Sequence, residues 1–439
     1  MRLALFLFAG ALGGLVGCKS CESGNARPDA SAPSPSSSHS VVAEALPRCR
    51  ADAPRASIPG EDVVIGDVAI GPAGLLAGVV RTDPNGKRVA SIARLDLDLS
   101  NVRVVDIGPA LGDDPAPSPR WKDDVPYVAF AMRKPNDAGP SMLREVRVAR
   151  IEESALGKVE HAVTQQADES LVFDLAWPEG GGAPLMAWDE DAPPRADGGV
   201  PGLAERGFVK VQLLEEGRRW HVASPETTDA EAPRLLARKG GYWLAWLARR
   251  FEGEEPSYIE GPGEKRAYRW VEVVALDAKG DAQGPVRRVS PEKGRVVSFE
   301  LARMEGDAAQ LVVMVQDEAA YGEGAGGRIV VHALGSDNKI ESIEVVDGGV
   351  GHALAELVPV AAIATDAGTA RWLTWTDTNE KAHVVPLGKT FAAIAGATSE
   401  PLLEGARVLA SAPPDGVYVL AHASPEGGAR PELRRFVCR

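Results

Sequence analysis

Arg238-Lys239-Gly240-Gly241, followed from Trp243 by WLAWLA, is the stretch whose reading decides the fold. The glycine pair makes a tight turn, and the apolar run behind it is too short for a helix but the right length for a buried strand. The same unit recurs along the chain. LLAGVV from Leu75 follows Gly71-Pro72-Ala73-Gly74, YVAFAM from Tyr127 follows Lys122-Asp123-Asp124, and LMAW from Leu185 follows Glu179-Gly180-Gly181-Gly182. LVVMV from Leu311, WLTW from Trp372 and YVLAHA from Tyr418 stand behind Glu305-Gly306-Asp307, Thr365-Asp366-Ala367-Gly368 and Pro413-Pro414-Asp415-Gly416. No long stretch carries helical periodicity.

Each unit has the same internal order. One strand precedes the turn, such as VVIGDVAI from Val63 or LVFDLAW from Leu171. A third follows a polar loop of variable length, as in VASIARLDL from Val89, FVKVQLL from Phe208, WVEVVALD from Trp270 and RIVVHAL from Arg328. A weaker fourth often comes next, as in VRVVDIG from Val102 and IESIEVV from Ile340. Four antiparallel strands repeating every ~57 residues are the blades of a propeller. The expectation is an all-β chain whose residues 49–439 form a β-propeller of seven four-stranded blades.

The last unit is incomplete, because the chain ends on ELRRFVC, a third strand without a fourth. The segment around Cys49 is expected to supply that strand, so that N- and C-terminal strands pair and close the ring. Cys49 and Cys438 then come together, and in an oxidising compartment they can bond. Such a bridge would close nearly the whole body into one loop, which chain-entropy arguments value at ~5 kcal/mol. The remaining cysteines are Cys18 and Cys21. Cys21 is left free, paired between molecules, or bonded to either of the other two.

The chain begins with Met1-Arg2, an apolar run LALFLFAGALGG, and Leu15-Val16-Gly17-Cys18. Charge, a short apolar core and a small residue before cysteine make a secretory signal over residues 1–17. The run is too short for a permanent span, which needs about 20 apolar residues. It resembles the signal of bacterial lipoproteins. That resemblance implies lipid on Cys18 and, with Lys19 rather than aspartate behind it, the outer membrane. Residues 18–48 are rich in Ser, Pro and Ala, have little to bury, and read as a disordered tether. Further on, units such as Pro414-Asp415-Gly416-Val417-Tyr418-Val419-Leu420 resemble the blades of TolB-like and related WD40-like envelope propellers. No sialidase-type Asp-box and no recurring WD dipeptide signature accompanies them, so the resemblance implies architecture and carries no site residues.

Composition narrows the partners. Of 439 residues, 62 are acidic and 48 basic, a net charge of -14, and no basic stripe is present to meet phosphates. Nucleic acid is therefore excluded as an expected partner. The same acidity disfavours adsorption to anionic lipid, leaving the acyl chains of Cys18 as the membrane contact.

The search for chemistry yields little. Gly322 to Gly327 fits GxGxxG by letter, but RIVVHAL behind it is a strand, whereas a dinucleotide site needs a helix. There is no GxSxG elbow and no HExxH. The seven histidines are scattered singly. Tryptophans such as Trp188, Trp243 and Trp246 are expected between blades, Trp243 and Trp246 on opposite faces because strand side chains alternate. The candidate binding residues are acidic loops after the second strand of successive blades: Asp189, Glu190, Asp191 and Asp197; Glu252, Glu254 and Glu255; Asp317 and Glu318. They lack the DxDxDG spacing of a regular Ca²⁺ loop and read as solvated acidic loops with no cofactor; Ca²⁺ or a cationic partner on these carboxylates is the alternative. The expected function is a membrane-anchored envelope lipoprotein, periplasmic or surface-facing, that binds an envelope protein or glycan without catalysis. The alternative is an envelope enzyme acting on glycans with carboxylates from different blades.

Overall fold

A computed structural model of the chain describes residues 49–110, 115–136, 139–164, 172–191, 207–225, 228–249, 269–289, 295–303, 309–316, 327–335, 340–346, 361–364, 371–376, 382–387, 400–403, 406–412, 416–422 and 431–438. Regular structure in these residues is β throughout. The first sheet is a meander of β2 (Glu61–Gly71), β3 (Gly74–Thr82), β4 (Arg88–Leu95) and β5 (Arg103–Pro109). The second holds β6 (Ser118–Lys122), β7 (Val125–Asn136), β8 (Gly139–Ile151) and β9 (Leu156–Thr164). The third holds β10 (Phe173–Ala176), β11 (Leu185–Asp191), β12 (Gly207–Leu213) and β13 (His221–Val222).

The next sheet has eight strands. Its first half is β14 (Asp229–Arg238), β15 (Gly241–Arg249), β16 (Arg269–Asp277) and β17 (Arg287–Arg288). Its second half is β18 (Arg295–Arg303), β19 (Ala309–Gln316), β20 (Gly327–Leu334) and β21 (Ile340–Val346). One parallel pair, Arg269 with Arg295, joins the halves. A further four-stranded sheet is β22 (Ala361–Ala364), β23 (Arg371–Thr376), β24 (Ala382–Leu387) and β25 (Glu400–Leu403). The last runs β1 (Cys49–Ser57), β28 (Pro431–Cys438), β27 (Gly416–His422), β26 (Ala406–Ala412), so the first strand of the body pairs with the last. In that antiparallel pair Cys49 stands opposite Cys438. Pro54, which has no N–H to give a ladder, sits at an irregularity of β1 between Ala51 and Arg55, and β1 is an edge strand where that is tolerated.

The second strand of each of the first four units is the segment picked out by its sequence, and the burial explains why it reads as continuous apolar. Leu75, Leu76 and Ala77 are all buried, because the sheets pack on both faces. Leu76 and Ile92 meet Val128, Phe130 and Ile151 of the second sheet. Tyr127, Ala129 and Val148 on the other face of that sheet meet Leu175, Met186 and Trp188. Leu185 and Val211 in turn meet Tyr242, Leu244 and Trp246. Trp243 faces the opposite way and packs with Val271, Val296 and Phe299, as the alternation of a strand requires. Ala56, Ile58 and Leu433 close against Leu75, Ala77 and Leu95, so the sheet holding both ends of the body lies on the first. Burial of Trp188, Trp243 and Trp246 removes these rings from any surface sugar platform.

Candidate functional site

The acidic stretch after Trp188 is not a loop. Asp189, Glu190 and Asp191 complete β11, in register with Val209, Phe208 and Gly207 of β12. Asp189 and Glu190 are each 1% exposed, so the expectation of a solvated acidic loop is corrected at these positions. The Asp189 carboxylate accepts from the Val172 amide at 2.6 Å and from the Ala232 amide at 2.8 Å. Ala232 lies in β14 with φ of 54°, a conformation that strains an L side chain, and its captured amide ties the third sheet to the fourth unit. Glu190 accepts from the Trp188 indole at 2.9 Å and from the Lys210 ammonium. Lys210 is covered by Trp220, whose ring centroid is 4.2 Å from Nζ. Glu272 of β16 does the same work, accepting from the indoles of Trp246 at 3.0 Å and Trp270 at 3.1 Å. Glu190 and Glu272 thus satisfy the polar edges of interior tryptophans.

Cys18, Asp197, Glu252, Glu254, Glu255, Asp317 and Glu318 lie outside the described residues. The ends of the connections that carry the last six are described. They leave β11, β15 and β19, each the second strand of its unit, and return at β12, β16 and β20. With Asp189 to Asp191 in the strand, residues 192–206 hold Asp197 and Glu205 against Arg195 and Arg206, so by sequence this connection is balanced rather than acidic.

The charged cluster that the sequence reading passed over runs along the first strands of the units. These strands lie beside one another: β2 against β6 and β26, β10 against β14, β14 against β18, β18 against β22, and β22 against β26. Among the described side chains, five of these strands place a charge in one belt, and its sign alternates from Asp67 on β2 through Arg120 on β6, Asp174 on β10 and Arg234 on β14 to Glu300 on β18. Arg120 bridges two sheets, 3.3 Å from Asp67 and 2.5 Å from Asp174. Asp67 also accepts from the Ser118 hydroxyl at 2.5 Å. Asp174 is further committed to the amides of Leu175 at 2.8 Å and Leu235 at 2.7 Å. Arg234 donates to Glu300 at 3.3 Å and to the Pro233 carbonyl at 2.9 Å, while the Leu301 amide donates to Glu300 at 3.0 Å.

The electrostatics differ along this belt. At Asp67, whose side chain still meets solvent, desolvation by the surrounding strands pushes the pKa up, but Arg120 and the Ser118 hydrogen bond outweigh it and hold the carboxyl below its ordinary value. At Glu300 burial wins: Arg234 pulls the pKa down, Asp174 and Asp67 add to the rise, and the carboxyl ends above its ordinary value. Both guanidiniums are held charged, because their carboxylate partners outweigh the burial that opposes charge. Chemically, the belt offers two fixed cations, one committed buried acid in Asp174, and two acids displaced in opposite directions. Among the described residues no group of three or more His, Cys, Asp and Glu is placed to hold a metal ion.

No protein-family model and no curated protein matches the sequence. Solved structures do resemble the fold. An ulvan lyase of a new polysaccharide lyase family superposes with a TM-score of 0.50 at 11% identity, covering 86% of this chain and 95% of that one. The β-propeller domain of the Trilobed protease from Pyrococcus furiosus gives 0.44 at 13% identity, covering 82% and 91%. The WD40 domain of Toxoplasma gondii coronin gives 0.44 at 11% identity, covering 90% and 86%. The class is all-β, with several four-stranded antiparallel sheets, and β-propellers are among its structural neighbours. At these identities the likeness speaks to fold alone.

Proposed function

We propose that the body is a seven-bladed propeller held on a lipidated tether and that it works as a non-catalytic binding or scaffold module of the bacterial envelope. In this reading the eight-stranded sheet is two blades touching through Arg269 and Arg295, and the pairing of β1 with β28 closes the ring. Residues 1–17 are the signal, Cys18 carries lipid, residues 18–48 are the tether, and Cys49 bonds Cys438. The outer membrane is the proposed site, with a protein or glycan of the envelope as partner. The observation that carries the non-catalytic reading is the occupancy of the buried acids among the described residues. Asp174, Asp189, Glu190 and Glu272 each hold two or more donors from the protein itself, and Asp229 holds the Gly207 amide, so these carboxylates are committed to the fold. Recognition then falls to the long connections after β11, β15 and β19, which leave equivalent ends of three successive units, on a rigid scaffold.

Crosslinking of the native lipidated protein in its own envelope, read by mass spectrometry, tests this. A reproducible protein partner joined through residues 192–206 or 250–268 is the expected result, and none at any crosslinker length sinks the scaffold. One observation favours a glycan enzyme as second reading. Asp67 is held low and Glu300 high on separate strands of one belt, the separation that a general base and a general acid need, although each also holds two donors, Ser118 and Arg120 on Asp67 and Arg234 and the Leu301 amide on Glu300. The enzyme reading requires that Asp67→Asn and Glu300→Gln each abolish turnover on an envelope glycan panel while leaving the fold intact.

A further inference from the structure

The strand that completes the last sheet is also the strand on which a tether would pull. β1 begins at Cys49, and its antiparallel pairing with β28 makes Cys49 and Cys438 the terminal pair. The two halves of β1 are held differently. At its C-terminal end Ala56 is 6% exposed, and Ile58 just beyond the strand is 1% exposed, both packed with Leu433 in the core under the first sheet. At its N-terminal end Arg50 and Ala51 are exposed. Among the ties of that half is an ion pair of Arg435 with Asp52 at 3.5 Å, with both side chains about a quarter to a third exposed. Such a pair contributes at most ~1 kcal/mol. The ladder is interrupted between Ala51 and Arg55. Tension arriving at Cys49 therefore meets the less buried half first.

We propose that Cys49 and Cys438 form a redox-controlled latch over this half of β1. Oxidised, the latch carries tension from the tether directly into β28; reduced, it lets residues 49–53 detach while Ala56 and Ile58 stay docked. The inference rests on the bridge and tether proposed above. Its chemistry balances by thiol–disulfide exchange. One thiolate attacks the disulfide of an envelope oxidant, the second thiolate displaces that mixed disulfide, and the oxidant leaves as a dithiol carrying the two electrons; release is the reverse, an envelope dithiol giving up two electrons and leaving as its disulfide. Bonding at the terminal pair confines the open form of the weak half to a short loop with few conformations, which opposes opening without any new contact.

Hydrogen exchange read by mass spectrometry on the detergent-solubilised full-length protein tests this, with a non-reducing peptide map on the same sample. The map is expected to contain the Cys49–Cys438 linked peptide. Reduction with a phosphine, with no change of sequence, is expected to speed exchange of residues 50–53 by about tenfold and to leave residues 56–58 unchanged. The Cys49→Ser, Cys438→Ser double variant should behave as the reduced protein does. A linked peptide together with equal exchange before and after reduction overturns the latch and leaves the bridge standing. Release of residues 56–58 along with 50–53 also overturns it, because the bridge would then hold the whole strand. Absence of the linked peptide under oxidising conditions removes the bridge itself.

Discussion

Replacing Asp174 by alanine tests whether the charged belt holds the sheets together. The side chain is 7% exposed and meets Arg120 at 2.5 Å. It also accepts from the Leu235 amide of the next unit at 2.7 Å. Breaking a buried ion pair from one side costs ~3–5 kcal/mol, since the stranded charge stays buried. Arg120 keeps Asp67 and the Pro119 carbonyl as partners, which places the loss at about 3 kcal/mol. The Leu235 amide loses its acceptor and adds ~1–2 kcal/mol. Because both changes act on one network they do not simply add, and the expected total for Asp174→Ala is about 4 kcal/mol. Asp174→Asn keeps an acceptor for one donor and should lose about half as much. Asp67→Asn is the control: its side chain is 56% exposed, and it should lose no more than ~1 kcal/mol. Urea unfolding at pH 7, followed by the fluorescence of buried tryptophans such as Trp188, reads all three. If Asp174→Ala lies within about 1 kcal/mol of the parent, the belt is decoration and the reasoning fails.

Burial of His332, 2% exposed, depresses its pKa to about 4. The unfolded chain takes up a proton near 6.5, so this contribution is complete above that value and fades as pH falls toward the folded pKa. Between pH 7 and 5 it should remove about 2 kcal/mol, and His332→Gln should flatten that slope in urea titrations at both pH values. A Cβ at Gly78 would sit 1.6 Å from the Pro117 carbonyl oxygen, a backbone atom. Gly78→Ala should therefore cost ~3 kcal/mol or more in the same assay, against about 1 for Gly86→Ala, which meets nothing within 4 Å but has φ of 76°. Ala232→Gly relieves a left-handed alanine and should raise the urea midpoint, a gain of ~0.5–1 kcal/mol; a loss would mean that the methyl packs usefully.

How far the fold could be read beforehand depends on the strand. The second strands were legible because both their faces are buried, which makes runs such as Leu75 to Val80 apolar almost without a break. The fourth strands of the third and fourth units were not, for β13 and β17 have two residues each. They are fixed by bonds that leave no apolar signature, such as the Val209 amide to the Ser224 hydroxyl at 3.0 Å. Asp189 and Glu190 misled because three consecutive acids oppose strand formation locally, while their donors come from Val172, Lys210 and Ala232, remote in sequence. The belt escaped for a related reason. A single charge within an apolar strand reads as a solvent-facing position, and the alternation of sign exists only once five separate strands stand side by side. A signal was present: Asp67, Arg120, Asp174, Arg234 and Glu300 all lie on the strand just before a turn.

The alternating belt also restricts how such a body can be edited. Excising the third sheet would set Arg120 beside Arg234, two guanidiniums with no acid between them, and duplicating it would place two aspartates together. Excising the third and fourth units as a pair would instead set Arg120 beside Glu300 and keep every neighbour opposite in charge. Along these five units, exchange by twos keeps the alternation of sign, and exchange of a single unit breaks it.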